Sequence, residues 1–412
     1  MAGCTNGVNS IVNSNTSPAT AQADLVFVNA RVYTKPGEAP ITSGTVIVNN
    51  GKITNLRKTR KDDPLLPARK LINANGRALS AGLWNSHVHF TSPELGSNPQ
   101  GVITNMLLRY GFTHVVDTGS TLEQTLKLRK AITSGALLGP NIVLANGSFV
   151  HTDGTPSYLP GITLPEIDSP AAAQPMVNAT LDAGANGIKI FSGSFISPTE
   201  TVLLPSAVIA AITRAAHERG SFVIAHPTSI AGLTNAVKGK VDVLAHTTAP
   251  EIDIPQDVLA LMQAQDTALI PTLMLWRYEM LKFTQNEAQA DFMETAAVTQ
   301  LNTLHAAGIP ILFGTDVGYM ESFNPAAEYQ LMEQAGMDWS SIHAALTSEP
   351  TRRFGRFTNR TSATIQEGAD ADLVLFNGDP AQNVEALANV AYTVINGAVV
   401  YSQPDQSQPD QY

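Results

Sequence analysis

Residues 206–226, SAVIAAITRAAHERGSFVIAH, contain a helix pattern followed directly by a strand pattern. Apolar residues recur at helical spacing over residues 206–219, and Gly220 is of the type that most often follows the end of a helix. Residues 222–225 are then a short apolar run, which is closed by His226. A short, continuously apolar strand beside a helix is typical of a buried parallel sheet. This unit predicts a fold in which helices and strands alternate.

The same alternation extends over residues 76–358. Its short apolar runs, separated by helical patterns, are residues 82–86, 112–116, 141–145, 187–191, 222–225, 241–245, 267–271 and 309–313. A second helix pattern, residues 301–307, is followed by Gly308 in the same way. Eight strands that alternate with helices predict an α/β fold of the (β/α)8 type, a TIM barrel.

The two ends of the chain carry a different pattern, of short β-rich runs joined by hairpin turns. These runs are residues 24–33, 45–48, 52–54, 371–376 and 392–401, and Asn-Gly pairs mark turns at Asn50-Gly51 and Asn396-Gly397. We expect one small β-sandwich domain built from both ends. The predicted organisation is a flexible tail at 1–23, the β domain at 24–75 and 359–402, the barrel at 76–358, and a second tail at 403–412.

Composition excludes several classes of protein. The chain has 25 Lys and Arg against 35 Asp and Glu, a net charge of −10, which argues against nucleic acid as a partner. No apolar run reaches the roughly 18 residues of a transmembrane helix, so none is expected. The single cysteine excludes an internal disulfide framework and a cysteine-rich zinc site.

The start of the chain, Met1-Ala2-Gly3-Cys4, resembles the end of a bacterial lipoprotein signal, in which lipid is attached to the cysteine. The charged and apolar segments expected before such a cysteine are absent. Two interpretations stay open: a lipid anchor at Cys4 of a protein of the bacterial cell envelope, or an unrelated cysteine in the tail of a cytoplasmic protein. Association into a homo-oligomer also stays open.

Polar side chains end or interrupt several of the predicted strands. His87 and His89 close the first strand and, two positions apart, point to the same face. The others, on strands 4, 5, 6 and 8, are Lys189, His226, His246 and Asp316. All of them would meet at the carboxyl ends of the strands, where barrel active sites lie.

These residue types predict a metal site. Nitrogen and oxygen ligands without thiolates suit zinc or a similar divalent cation. A lysine ammonium has no lone pair, but burial favours the neutral amine, which can add carbon dioxide to form an anionic carbamate. A carbamate can bridge two cations, so we hypothesise N6-carboxylation of Lys189.

The whole set resembles the metal ligands of the amidohydrolase superfamily, binuclear type. Longer stretches are similar to its imidazolonepropionase-like and Xaa-Pro dipeptidase-like branch, namely residues 111–113 (GFT), 187–193 (GIKIFSG), 313–316 (FGTD) and 368–373 (GADADL). The resemblance covers residues 24–402.

The resemblance implies a role for each residue of the set. His87, His89 and Asp316 would hold the more buried of two divalent cations, expected to be Zn²⁺, and His226 and His246 the more exposed one. Carboxylated Lys189 would bridge both, together with a hydroxide. Asp316 would act as general base and then general acid, taking the hydroxide's proton and passing it to the leaving group.

The implied function is a metal-dependent hydrolase of an amide-type C–N bond in a small molecule, a dipeptide or an N-acyl amino acid. Three alternatives stay open. A mononuclear aminohydrolase or deaminase acting on a heterocycle would leave Lys189 without a function. A lactonase or esterase would use the same centre. A catalytically silent, surface-anchored binding protein is disfavoured because every ligand position is filled.

Two further residues are predicted to contact substrate. His151 lies in a loop after strand 3 that would overhang the barrel mouth, and Arg277, after strand 7, could clamp a carboxylate with both terminal nitrogens. Loops 148–168, 274–284 and 317–324 are expected to shape the pocket. Relatives often carry His at the position of Thr228 and Glu at that of Ala245, so their substrate preference does not transfer directly.

Overall fold

The structure, a computed structural model, describes residue 1 and residues 22–60, 67–358 and 363–403. Cys4 and almost all of both predicted tails lie outside these residues, so the lipid anchor and the flexible tails stay predictions. Among the described residues, no helix has the length and apolar character needed to cross a membrane.

The regular elements of the described residues are numbered here in chain order. The strands are β1 (Ala23–Val32), β2 (Ile41–Asn49), β3 (Lys52–Lys58), β4 (Ala68–Asn73), β5 (Ala78–Ala81), β6 (Leu83–Val88), β7 (Phe112–Thr118), β8 (Asn141–Phe149), β9 (Gly187–Phe191), β10 (Gly193–Ser197), β11 (Glu200–Leu203), β12 (Val223–His226), β13 (Val243–Ala245), β14 (Ala268–Ile270), β15 (Leu373–Phe376), β16 (Val390–Ile395) and β17 (Ala398–Ser402). The α-helices are α1 (Pro99–Met106), α2 (Leu122–Thr133), α3 (Pro170–Asp182), α4 (Ser206–Glu218), α5 (Ile230–Lys238), α6 (Gln256–Gln265), α7 (Met274–Thr284), α8 (Glu287–Ala306), α9 (Ala326–Gln334), α10 (Trp339–Leu346) and α11 (Ser348–Phe354).

Seven parallel strands form the barrel, in the order β14-β13-β12-β9-β8-β7-β6. Each of them falls on one of the predicted apolar runs. The eighth run and the residues that follow it close the ring through isolated bridges, because Ile311 of the run pairs with Leu269 of β14, and Val317, four residues after the run, pairs with Val88 of β6. The TIM-like barrel is therefore confirmed, with an eighth position that is irregular rather than a regular strand. Pro310 lies there and has no N–H to donate to a ladder.

The barrel strands are apolar because both of their faces are covered. Every residue of β6, β7 and β9 is buried, as expected of a parallel sheet enclosed by helices. Helix α4 ends one residue earlier than predicted, and Gly220 follows it with a φ of +64°. The helix predicted at 301–307 is only the final part of the 20-residue α8.

A separate sheet is built from both ends of the chain, in the order β17-β16-β15-β5-β1-β2-β3, with β4 paired to β1. Strand β1 pairs with β4 along its first half and with β5 at its end. The sheet has its own hydrophobic core, which includes Phe27, Val46, Leu79, Leu373 and Val394. The β domain from both ends is confirmed, while its boundaries in the chain stay predictions.

The Asn-Gly pairs form the hairpin turns that the sequence predicted. Asn50 and Gly51 join β2 to β3 with φ of +49° and +73°, and Asn396 and Gly397 join β16 to β17 with φ of +53° and +74°. Positive φ at both central residues is the conformation of the turn that matches strand twist in a two-residue hairpin.

Candidate metal centre

One cavity of about 570 Å³ opens at the carboxyl ends of the barrel strands. It is lined by all of the residues predicted as metal ligands, which are His87, His89, Lys189, His226, His246 and Asp316. Strand ends supply them: His87 lies on β6, Lys189 on β9 and His226 at the end of β12. His246 directly follows β13, and Asp316 lies in the segment that closes the ring.

Short distances join these side chains. Asp316 Oδ1 lies 2.9 Å from His89 Nε2 and 3.3 Å from His87 Nε2. The ring of His246 lies 4.7 Å from that of His87 and 4.6 Å from that of His226, measured between centroids. The four imidazoles and the carboxylate therefore face a common space.

The backbone at two of these residues is held in an unusual conformation. His246 has a φ of +75° and Asp316 a φ of +57°, in the left-handed region that residues other than glycine rarely occupy. Such strain is concentrated at functional sites, where the surrounding structure imposes it. Here it turns both side chains into the cavity directly after their strands.

Asn85 ties the first and eighth barrel positions together beside the centre. Its Oδ1 accepts the N–H groups of His87 at 3.3 Å and Thr315 at 3.2 Å, and its Nδ2 donates to Thr315 Oγ1 at 2.8 Å. The N–H of Asp316 in turn donates to the carbonyl of His87 at 2.9 Å. These bonds fix His87 relative to Asp316.

Burial sets the charges of the centre. It lowers the pKa of His87 to about 4 and holds those of His226 and His246 well below the ordinary value, so these rings are neutral. Burial alone would raise the pKa of Asp316, but the adjacent His87 and His89 outweigh it and keep that pKa well below its usual range. The site is thus a carboxylate among imidazoles with free lone pairs.

This arrangement fits divalent cations. Ligand atoms of His87, His246 and Asp316 all lie within 4.8 Å of one another. His87 Nδ1 is buried and lacks a hydrogen-bond partner among the described residues, and Asp316 Oδ1, although 2.9 Å from His89 Nε2, makes no well-aligned hydrogen bond there. Buried polar atoms in proteins are nearly always satisfied, so unsatisfied ones at a cluster of neutral imidazoles indicate that a ligand completes it.

Lys189 has an environment that favours its neutral amine. Its side chain is 2% exposed, and burial lowers its pKa to about 8, against the opposing effects of Asp316 and Asp117. A lysine with this pKa is partly a neutral amine near neutral pH, and only the neutral amine adds carbon dioxide.

Comparison with known proteins identifies the family. The sequence model of the amidohydrolase family matches residues 78–400, most of the chain. The chain belongs to the amidohydrolase family. Family membership supports an enzyme that hydrolyses amide-type C–N bonds and uses divalent metals. None of the curated proteins matches this amidohydrolase in sequence.

Several solved structures share its fold. A Xaa-Pro dipeptidase with methionine bound in the active site superimposes with a TM-score of 0.80 at 20% identity, over 92% of this chain and 100% of the other. A putative prolidase from Bifidobacterium longum superimposes with a TM-score of 0.76 at 22% identity, over 92% of this chain and 94% of the other. Molinate hydrolase superimposes with a TM-score of 0.74 at 20% identity, over 92% of this chain and 95% of the other. At these identities the similarity establishes the fold.

The two predicted substrate contacts of this amidohydrolase lie away from the cavity lining. Arg277 pairs instead with Asp291 and Glu287 of α8. His151 directs Nδ1 to the carbonyl of Thr152, at 3.4 Å. The geometry therefore does not place either side chain against a ligand in the cavity, and their roles stay sequence predictions.

The predicted pocket segments do contribute to the lining, but one of them is not a loop. Residues 274–284 form helix α7, which contributes Leu275, Trp276 and Glu279 to the cavity wall. Sequence reasoning missed Glu279, and it also missed Asn85. The one available signal was spacing, because Trp276 and Glu279 are three residues apart and so share a face if the segment is helical.

Proposed function

We propose that this amidohydrolase cleaves an amide-type C–N bond in a small substrate, a dipeptide or an N-acyl amino acid, with two divalent cations. The observation that carries the proposal is the set of side chains from five barrel positions that line one cavity around the Asp316 carboxylate. A volume of about 570 Å³ is within the range of small-molecule sites.

The ligand roles proposed here are those that the resemblance to the binuclear amidohydrolases implies. His87, His89 and Asp316 would hold one cation, and His226 and His246 the other. Carboxylated Lys189 would bridge them. Nitrogen and oxygen donors without sulfur favour zinc as the native metal.

The chemistry divides between metal and protein. When bound, divalent cations acidify water and polarise the scissile carbonyl. Asp316 would accept a proton as water attacks, because the adjacent His87 and His89 hold the pKa of this carboxylate well below its usual range, against the effect of burial, and so keep it ionised beforehand. Asp316 then donates the proton to the departing nitrogen of the amide, as general acid.

Other residues of the chain hold Asp316 and the neighbouring imidazoles in position. Asn85 holds His87 and the Asp316 segment in register. Thr272 Oγ1 lies 2.5 Å from His246 Nδ1 and orients that ring. Apolar side chains, among them Leu164 and Phe195, also line the cavity.

A mononuclear aminohydrolase is the second candidate. Ligand atoms of His87, His246 and Asp316 are close enough to bind a single cation without the others. In that case Lys189 would remain an unmodified amine.

Metal analysis combined with a substrate panel tests the proposal. The protein is loaded with zinc in bicarbonate, its metal content is measured, and hydrolysis of dipeptides, N-acyl amino acids, esters and lactones is compared. We expect two cations per chain, a carbamate signal in carbon-13 spectra after labelling with bicarbonate, and hydrolysis of amides. One cation without a carbamate would favour the mononuclear candidate. No turnover of any amide by loaded protein would contradict the proposal.

A further inference from the structure

The cavity wall has one charged side chain besides those of the candidate metal centre. Among the described residues that line the cavity, this is Glu279, on α7. The lining contains no arginine, and its one lysine is Lys189. Arg277, two residues before Glu279, is engaged by Asp291 and Glu287. Outside the metal centre, the wall therefore offers a negative charge and no positive one.

A tyrosine is hydrogen-bonded to this carboxylate, and further aromatic rings line the same cavity. Tyr319 Oη donates a hydrogen bond of 2.8 Å to Glu279 Oε1. The ring of Tyr158 lies edge-on to that of Tyr319, with centroids 5.9 Å apart, and Trp276 lines the same cavity one helical turn before Glu279. Aromatic faces attract cations, and a partly buried carboxylate binds them through charge-assisted hydrogen bonds.

Lys282, a cation whose charge acts on Glu279, is not part of the cavity lining. Lys282 is exposed, and its Nζ lies over the ring of Tyr319, 5.1 Å from the centroid. Burial and, to a lesser extent, the charge of Asp316 raise the pKa of Glu279 to about 6, against the hydrogen bond from Tyr319 and the charge of Lys282. Glu279 is therefore largely ionised at neutral pH.

Helix α7, which carries Glu279, is anchored at its N-terminus. The buried side-chain carboxyl group of Glu328, on α9, accepts the N–H groups of Leu273 at 2.8 Å and Met274 at 2.9 Å. These are donors at the N-terminus of α7 that have no partner within the helix. A helix anchored in this way holds its side chains in a constant place relative to the barrel.

We propose that Glu279, with the rings of Tyr158 and Tyr319, binds an ammonium group of the substrate. The inference rests on the proposed function for the bond that is cleaved, and it narrows the substrate class. The preferred substrate is an amide that carries a free amino group, such as a dipeptide, rather than an N-acyl amino acid, whose amino group is blocked.

Binding of two small amides to zinc-loaded protein tests this; ammonia release is followed in parallel, and for an amide that is hydrolysed the KM takes the place of the dissociation constant. L-Leucinamide carries an ammonium group, and N-acetyl-L-leucinamide is a similar molecule in which that charge is removed. Isothermal titration at about pH 7, where most of the α-amino group is protonated, gives both affinities for wild type and for Glu279→Gln. We expect the substitution to weaken the affinity for leucinamide about tenfold or more. The affinity for the acetylated amide should fall less than about twofold.

Two further variants show whether a loss of affinity for leucinamide depends on the charge at position 279 or on the loss of any negative charge. Glu279→Asp keeps the charge and should recover part of the affinity. Glu333→Gln removes the same charge from the exposed surface of α9 and should bind leucinamide like wild type. Metal content and thermal unfolding are measured for each variant, to confirm a folded, loaded protein.

Failure of the ammonium subsite can be told apart from failure of the proposed function. Wild-type affinity of Glu279→Gln for leucinamide, equal losses for both amides, or no binding of leucinamide to wild type would each overturn the ammonium subsite. If the subsite passes this test and the substrate panel shows no amide hydrolysis, the proposed function fails while the subsite stands.

Discussion

Single residues at the centre are more deeply buried than their types usually are. His87 is 1% exposed, Lys189 2% and Asp316 4%. Removing ionisable groups from water costs free energy unless partners compensate them. Neutral imidazoles and a lysine whose pKa is lowered to about 8 reduce that cost, and they leave lone pairs for cations.

Replacing Lys189 tests the bridging role. We expect Lys189→Ala to abolish hydrolysis and to release at least one cation, because the carbamate that joins the two cations can no longer form. Since the other ligands remain, we expect the fold to persist. Metal content, circular dichroism and turnover of the best amide in the panel measure these effects.

The matched control is Lys238→Ala, at an exposed position on α5. It should retain both cations and full activity. If Lys189→Ala hydrolyses the amide at the wild-type rate without an added short carboxylate, Lys189 does not bridge the two cations.

Asn85 permits a test of how the ligands are positioned. Asn85→Ala removes the acceptor shared by the N–H groups of His87 and Thr315. Residues that orient metal ligands typically contribute about 10- to 100-fold in metal affinity, so we expect a loss of that order in competition with a chelator. Asn85→Asp keeps the acceptor and should lose less. Equal zinc affinity of Asn85→Ala and wild type would remove Asn85 from the supporting structure.

Among the elements, α4 is joined to the barrel by an ion pair that responds to pH. His217 Nε2 lies 3.0 Å from a carboxylate oxygen of Asp242, which also accepts the N–H of Val223 at 2.7 Å. The hydrogen bond to Asp242 raises the pKa of His217, against burial and the charge of Arg356. The charged pair therefore stabilises the fold below about pH 6.5 and ceases to do so as the pH rises through the raised pKa.

His217→Gln keeps a hydrogen-bond donor but removes this charge. We expect wild type to exceed the variant in unfolding free energy by more at about pH 5.5 than at about pH 9. The side chain is 46% exposed, so solvent screening keeps the difference below about 1 kcal/mol. Urea unfolding at both pH values measures it. A difference that grows with pH would show that the pair is not charged as described.

At the scale of the whole molecule, the β domain and the barrel meet directly before the first ligand strand. Gly82 is the single residue between β5 and β6, and its N–H donates to the carbonyl of Asp372 at 2.8 Å. A Cβ at this position would lie 2.2 Å from Thr113 Oγ1 on β7. The junction therefore requires a residue without a side chain.

Gly82→Ala should destabilise the fold by about 1–3 kcal/mol, because a methyl group is forced into a packed junction. Gly96 is the control, since a Cβ there meets nothing within 4 Å and its φ is not in the positive range. Urea unfolding of both variants checks the prediction. Equal stability of the two would mean that the junction relaxes without cost.

The sequence predicted those features that depend on periodicity and on strand ends. Seven apolar runs became barrel strands, and the polar residues that close them line one cavity. Ligand roles rested on donor chemistry and on a resemblance. Features that depend on tertiary packing were not predicted: α7 was expected to be a loop, and the orientation of Glu279 follows from how that helix packs.

The two substrate contacts show the same limit. Arg277 and His151 lie in segments that do shape the pocket, but the direction of a side chain depends on its neighbours. Arg277 is drawn to the acidic residues Glu287 and Asp291, which lie 10 and 14 positions later in the chain. No single-sequence pattern indicates that pairing.

Six side chains, distant in sequence, are proposed to bind a pair of divalent cations. A crystal structure of protein grown with zinc and bicarbonate, with anomalous scattering measured at the zinc edge, would locate these cations. We expect two zinc peaks, one near His87, His89 and Asp316 and one near His226 and His246, with a carbamate on Lys189 between them. A cavity without zinc under these conditions, or these side chains directed elsewhere, would contradict this proposal.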